Sequence, residues 1–167
     1  MIPLFKTHFS VGKSTLTPLD VFSLAKEASL EQLVFVEDSF SGFRKINTIS
    51  EKLEIPFVFG IRLSVVQESD SENPSKLVFF AKDSLGVKNC KNIYTKCMVE
   101  SSGVLKLSSL SKDDLKSVKI GVPFYDSYIY QNIFNLFDFF RTNQPLSCLL
   151  SDERVHQRLV RFCLPAL

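Results

Sequence analysis

What most limits the fold of this chain is an alternation in its first sixty residues. Three short, unbroken apolar runs, Ile2 to Phe5, Leu33 to Val36 and Phe57 to Phe59, are separated by two longer segments with helical spacing. A half-exposed strand alternates apolar and polar side chains, so runs without that alternation must be covered on both faces. Helices provide the cover when parallel strands are joined by crossovers, which makes the pattern βαβαβ. The first helix carries its own start signals. Thr17 can serve as N-cap, Pro18 suits the first helical position, and Asp20 lies in the first turn. Val21, Leu24, Ala25 and Ala28 then share one face, and Phe43, Ile46, Ile49 and Leu53 give the second helix a similar stripe.

Past Arg62 the chain enters an acidic, Ser-rich stretch, residues 67–75, with no apolar side chain, which reads as a surface loop. A fourth strand, Leu77 to Ala81, and an amphipathic segment bearing Val87, Cys90, Ile93, Tyr94 and Cys97 continue the alternation. A weaker unit runs from Ser101 to Lys119, and Val118 to Val122 reads as another strand. Asp126 can cap an aromatic-rich helix through Phe140, and Ser151-Asp152-Glu153 opens a last helix to about Cys163. No internal repeat or linker interrupts the series, so residues 1–167 are expected to form one domain.

Composition narrows the class further. With 45% hydrophobic and 23% charged residues the chain is too apolar for intrinsic disorder. A net charge of +2 makes no field that would force nucleic-acid binding, so any such role needs a local site. Cys90, Cys97, Cys148 and Cys163 contain no C-x-x-C pair, and His8 and His156 complete no zinc spacing with them; buried thiols in a reducing cytoplasm are expected. No stretch reaches the ~20 apolar residues of a membrane span. Arg154, Arg158 and Arg161 form a stripe on the last helix, read as a solvated face or a docking surface for an acidic partner.

Two groups of residues invite a chemical reading. Gly12-Lys13-Ser14-Thr15 has the ending of a phosphate-binding loop, and Leu33 to Asp38 has the outline of the acidic strand end that accompanies one. The loop needs a glycine where Thr7 stands, however, and its helix must follow the Lys-Ser directly, whereas Thr17 and Pro18 start the helix later. The P-loop NTPase reading therefore stands only as a third and weaker alternative. The second group lies at strand ends: Lys6 and His8 after the first strand, Asp38 after the second and Arg62 after the third. Parallel βα folds gather such positions at the carboxyl-terminal edge of the sheet, where their sites are built.

The runs Lys6-Thr7-His8, Thr15-Leu16-Thr17-Pro18, Leu33 to Ser39 and Ile55-Pro56-Phe57-Val58-Phe59-Gly60-Ile61-Arg62 together resemble the PHP (polymerase and histidinol phosphatase) domain. That family reads H-x-H, T-L-(S/T)-P, an apolar strand ending T-D-H, and I-P-(apolar)-G-(apolar)-E. Lys76 to Asp83, with Gly86 and Asn89, is similar to the corresponding segment in bacterial DNA polymerase III alpha subunits. The resemblance covers residues 2–97 and implies a distorted, TIM-like parallel βα barrel, which 167 residues need not complete. It also implies an ancestral site of two or three divalent metals that hydrolyses phosphoesters. Here the first His is replaced by Lys6, the His after the Asp by Ser39, the Glu by Arg62 and a later His by Lys76, leaving His8 and Asp38. Cations at ligand positions oppose a dication, and Lys6 or Arg62 can instead hydrogen-bond Asp38. No metal is expected, Mn or Zn being the candidates if the site were active. The resemblance implies an inactive binding or structural module linked to DNA replication. Its expected partner is a protein such as a proofreading exonuclease or polymerase, with at most weak DNA contact and no membrane. The alternative is a residual metal-dependent phosphoesterase or 3′-5′ exonuclease.

Overall fold

The computed structural model of the protein describes residues 3–66 and 74–123. The chain divides into two units, Met1–Pro123 and Phe124–Leu167, and the described residues all belong to the first. The helices expected from Asp126 and Ser151, together with Cys148, Cys163 and the stripe Arg154, Arg158 and Arg161, lie outside the described residues. So does most of the acidic loop.

Chain order is β1 (Leu4–Phe5), α1 (Pro18–Glu27), β2 (Leu33–Glu37), α2 (Phe43–Leu53), β3 (Phe57–Val66), β4 (Ser75–Ala81), α3 (Ser84–Thr95), a π-helical turn (Lys96–Glu100), β5 (Val104–Lys106), a 3-10 turn (Leu107–Ser109) and β6 (Val118–Gly121). The first five elements are the expected βαβαβ unit. β1 pairs parallel with β2, and β2 parallel with β3 in the register Leu33↔Phe57 to Glu37↔Ile61. Thr17 caps α1 in a full capping box: its hydroxyl accepts from the Asp20 N–H, while the Asp20 carboxylate accepts from the Thr17 N–H at 2.8 Å. Those Thr17 bonds hold the Asp20 carboxyl below its usual range. The buried face of α1 is Pro18, Val21, Phe22 and Ala25, with Leu24 exposed. The stripe thus lies one residue round from the expected one, because Phe22 offers more apolar area to the sheet than Leu24.

The second half departs from a parallel barrel. β4 runs antiparallel to β3, Gly60↔Phe80 to Val65↔Ser75, and β6 runs antiparallel to β4. A parallel return needs a crossover of about a dozen residues, usually helical. The segment between β3 and β4, residues 67–74, is shorter than that and has no apolar stripe, so the chain turns straight back. The sheet runs β1-β2-β3-β4-β6, with β5 parallel to the end of β3. Among the described residues it is open and mixed.

The helix-covered side of the sheet holds two apolar clusters. Val21, Phe22, Ala25, Leu33, Phe35, Ile46 and Phe59 form one; Ile61, Leu63, Val65, Phe79, Cys90, Ile93, Cys97 and Leu105 form the other. Phe40 joins them, its ring 5.2 Å from Phe59 and 5.8 Å from Tyr94 between centroids. Burial of this much aromatic surface fixes the faces of α2 and α3. On the opposite side Val34, Val36 and Val78 cluster with Val58 and Phe80. Gly60 is required there, because a Cβ on it would lie 2.6 Å from the Phe80 ring.

Candidate functional site

The carboxyl ends of β1 and β2 bring Lys6 and Asp38 together. Lys6 Nζ donates to Asp38 Oδ1 at 2.7 Å, with both side chains partly shielded from solvent. β1 and β2 put alternate residues on opposite sides of the sheet. Thr7, which follows Lys6, and Glu37, which precedes Asp38, meet on the other side. Glu37 is fully buried. Its Oε1 accepts from the Thr7 N–H at 2.8 Å and the Thr7 hydroxyl at 2.7 Å, and its Oε2 from the Ser10 hydroxyl. The Ser10 oxygen in turn accepts from the Asp38 N–H at 2.9 Å. A buried carboxylate without such donors would be costly, so this network holds the segment after β1 against the end of β2.

The remaining expected site residues go elsewhere. The His8 ring lies 3.3 Å from the Leu16 carbonyl at Nδ1 and 4.3 Å from the Phe9 ring between centroids. Ser39 Oγ donates to Ser41 Oγ at 3.0 Å. Arg62 lies inside β3, which runs on to Val66, and not past a strand end as expected; its register partner is Val78 of β4, and the β2 pairing ends one residue earlier at Glu37↔Ile61. Lys76 stands opposite Ser64, further along β3, and donates to the Ser64 hydroxyl. Lys6 and Asp38 thus meet in a direct contact, Arg62 follows the last β3 residue paired with β2, and His8, Ser39 and Lys76 bond to other partners.

A divalent metal does not fit this donor set. Asp38 is engaged by an ammonium group, and Glu37 turns its oxygens to Thr7 and Ser10. Among the described residues no three His, Cys, Asp or Glu side chains converge as metal ligands. Neither described cysteine is a ready thiol nucleophile: burial pushes Cys90 up to about 12 and raises Cys97 as well. Gly12 to Thr15 line only a shallow surface depression, and α1 begins at Pro18 without running on from Lys13-Ser14.

Sequence reasoning missed Glu37, Thr7 and Ser10 as a unit. The available signal was a carboxylate closing a continuously apolar strand, with two hydroxyl residues three apart just after the neighbouring strand. Each alone reads as a side chain pointing into water.

No protein-family model matches the chain. No curated protein matches it either. Solved structures do match; one is the crystal structure of a proposed metal-dependent phosphoesterase from Bifidobacterium adolescentis, 22% identical, with a TM-score of 0.39. The match covers 68% of this chain and 41% of that one, so the chain spans less than half of that neighbour's length. Among the described residues no helix is long and apolar enough to cross a membrane.

Proposed function

We propose that residues 1–167 are a degenerate PHP-like domain that binds partners and hydrolyses nothing, with a replication protein such as a proofreading exonuclease or polymerase as its partner in the cytoplasm. The observation that carries this reading is the Lys6 ammonium on Asp38 at 2.7 Å, a permanent cation at a position where the resemblance implies a metal. A lysine there neutralises the carboxylate without supplying a Lewis acid or an activated water. Arg62 and Lys76 stand at two further positions where the resemblance implies metal ligands, and a protonated Arg or Lys side chain has no lone pair to offer a metal.

The test is metal analysis of the purified full chain. Less than about one Mn, Zn or Fe per chain is expected after desalting, with no hydrolysis of nitrophenyl phosphate or DNA 3′ ends in added Mn²⁺. The triple variant Lys6→His, Ser39→His, Arg62→Glu should gain a Tm that rises with Mn²⁺ or Zn²⁺, a rise absent from the parent. Stoichiometric metal in the parent, or Mn²⁺-dependent turnover abolished by His8→Ala, would overturn the proposal in favour of a residual phosphoesterase.

A further inference from the structure

The net charge of +2 conceals an uneven surface. Outside the strand-end site, α2 and α3 turn exposed cations outward: Arg44 and Lys45 in the first turn of α2, Lys88 and Lys91 one turn apart on α3. The two helices meet at Phe43, whose ring centroid lies 5.4 Å from Lys91 Nζ, and Arg44 is the next residue on α2. None of the four has an acidic partner among the described residues, whereas Lys6, Lys96 and Lys116 all do. α3 contains no acidic residue, and its other exposed polar side chains include Asn92 and Thr95.

Stability alone does not explain this placement. Cations in the first turn of α2 face the positive end of its dipole, and its N-cap, Gly42, supplies no side-chain acceptor. An external anion would relieve the repulsion. We infer that the outer surface of α2 and α3 binds the phosphate backbone of a nucleic acid strand. Four exposed cations without acidic partners among the described residues, with the Asn92 amide on the same helix as two of them, are a contact set that phosphates take, and nothing in it reads base sequence. This inference stands on the surface itself and does not depend on whether the strand-end site binds metal.

The test is fluorescence anisotropy of the full chain with a labelled 20-nucleotide single strand and the matching duplex, from about 20 to 200 mM salt. Four phosphate contacts predict log–log salt slopes of about −2.8 on the single strand and about −3.6 on the duplex. Lys88→Glu with Lys91→Glu, both exposed, should weaken binding by roughly tenfold or more and flatten the duplex slope by about 1.8. Lys88→Gln with Lys91→Gln should lose less affinity with the same flattening. Lys106→Glu with Lys119→Glu makes an equal change in net charge on the opposite side of the sheet, since their strand neighbours Leu105 and Ile120 pack on the helix side, and should leave binding within about twofold. Equal weakening by that control pair, no binding at the lowest salt, or displacement by an acidic peptide but not by unlabelled DNA would each overturn the proposal.

Discussion

The two halves of the sheet solve the same covering problem in different ways. From β1 to the start of β3 the strands are parallel, the connections are helices of 10 and 11 residues, and β2 is buried along its whole length. From the end of β3 to β6 the pairings with β4 are antiparallel, and one helix, α3, supplies most of the cover. The comparison shows how far an apolar strand pattern constrains topology. It demands cover on both faces and leaves strand direction to the length and chemistry of the connection. The first half also holds the buried carboxylate Glu37, whereas the second half places its main ion pair, Lys96 with Asp114, nearer the surface.

The strongest way to break the comparison is to ask whether the halves melt apart. Phe35→Ala in the first cluster and Phe79→Ala in the second each remove a fully buried ring, and each should cost about 3–5 kcal/mol. Because β3 belongs to both halves, a single coincident transition by far-UV circular dichroism and tyrosine fluorescence is expected in both variants. A two-step melt in which Phe79→Ala leaves α1 and α2 folded would show that the parallel half is autonomous.

A smaller effect should separate the halves by their buried polar groups. Glu37→Gln keeps the volume but presents an amide to the Thr7 or Ser10 hydroxyls, at a cost of about 1–3 kcal/mol in urea denaturation. A cost near zero would mean that the segment after β1 is held by its apolar contacts alone.

How much of this was readable in advance follows the same division. Thr17, Pro18 and Asp20 marked the start of α1 to the residue, since capping chemistry is local. The alternation of Cys90, Ile93 and Cys97 with polar neighbours marked the buried face of α3 for the same reason. The parallel direction that the βα alternation implies for β4 is not the one it takes, although the polar stretch before it already excluded a covering helix. The Lys6 and Asp38 contact came from their positions after successive strands; the Glu37 network needed knowledge of which side each residue faced, and a slip of one residue reverses that.

The smallest predicted effect lies in the second half. Asp114 is held below its usual carboxyl range, first by the Lys96 hydrogen bond and then by Ser111. A carboxyl lowered on folding contributes stability that is complete above its unfolded value of about 3.9 and is lost as pH falls through the folded value. Asp114→Asn should therefore cost no more than about 1 kcal/mol at pH 6, and the two proteins should converge as the pH drops below about 3. A constant difference across that range would assign the effect to packing.

β3 carries partners on both edges over much of its length: β2 and β4 at Gly60 and Ile61, then β4 and β5 at Ser64 and Val65. Its amide protons point alternately to the two neighbouring strands, so exchange along its whole length needs both neighbours to let go. In deuterated buffer this strand should therefore be the last to exchange, at a rate that reports global unfolding and no local fraying.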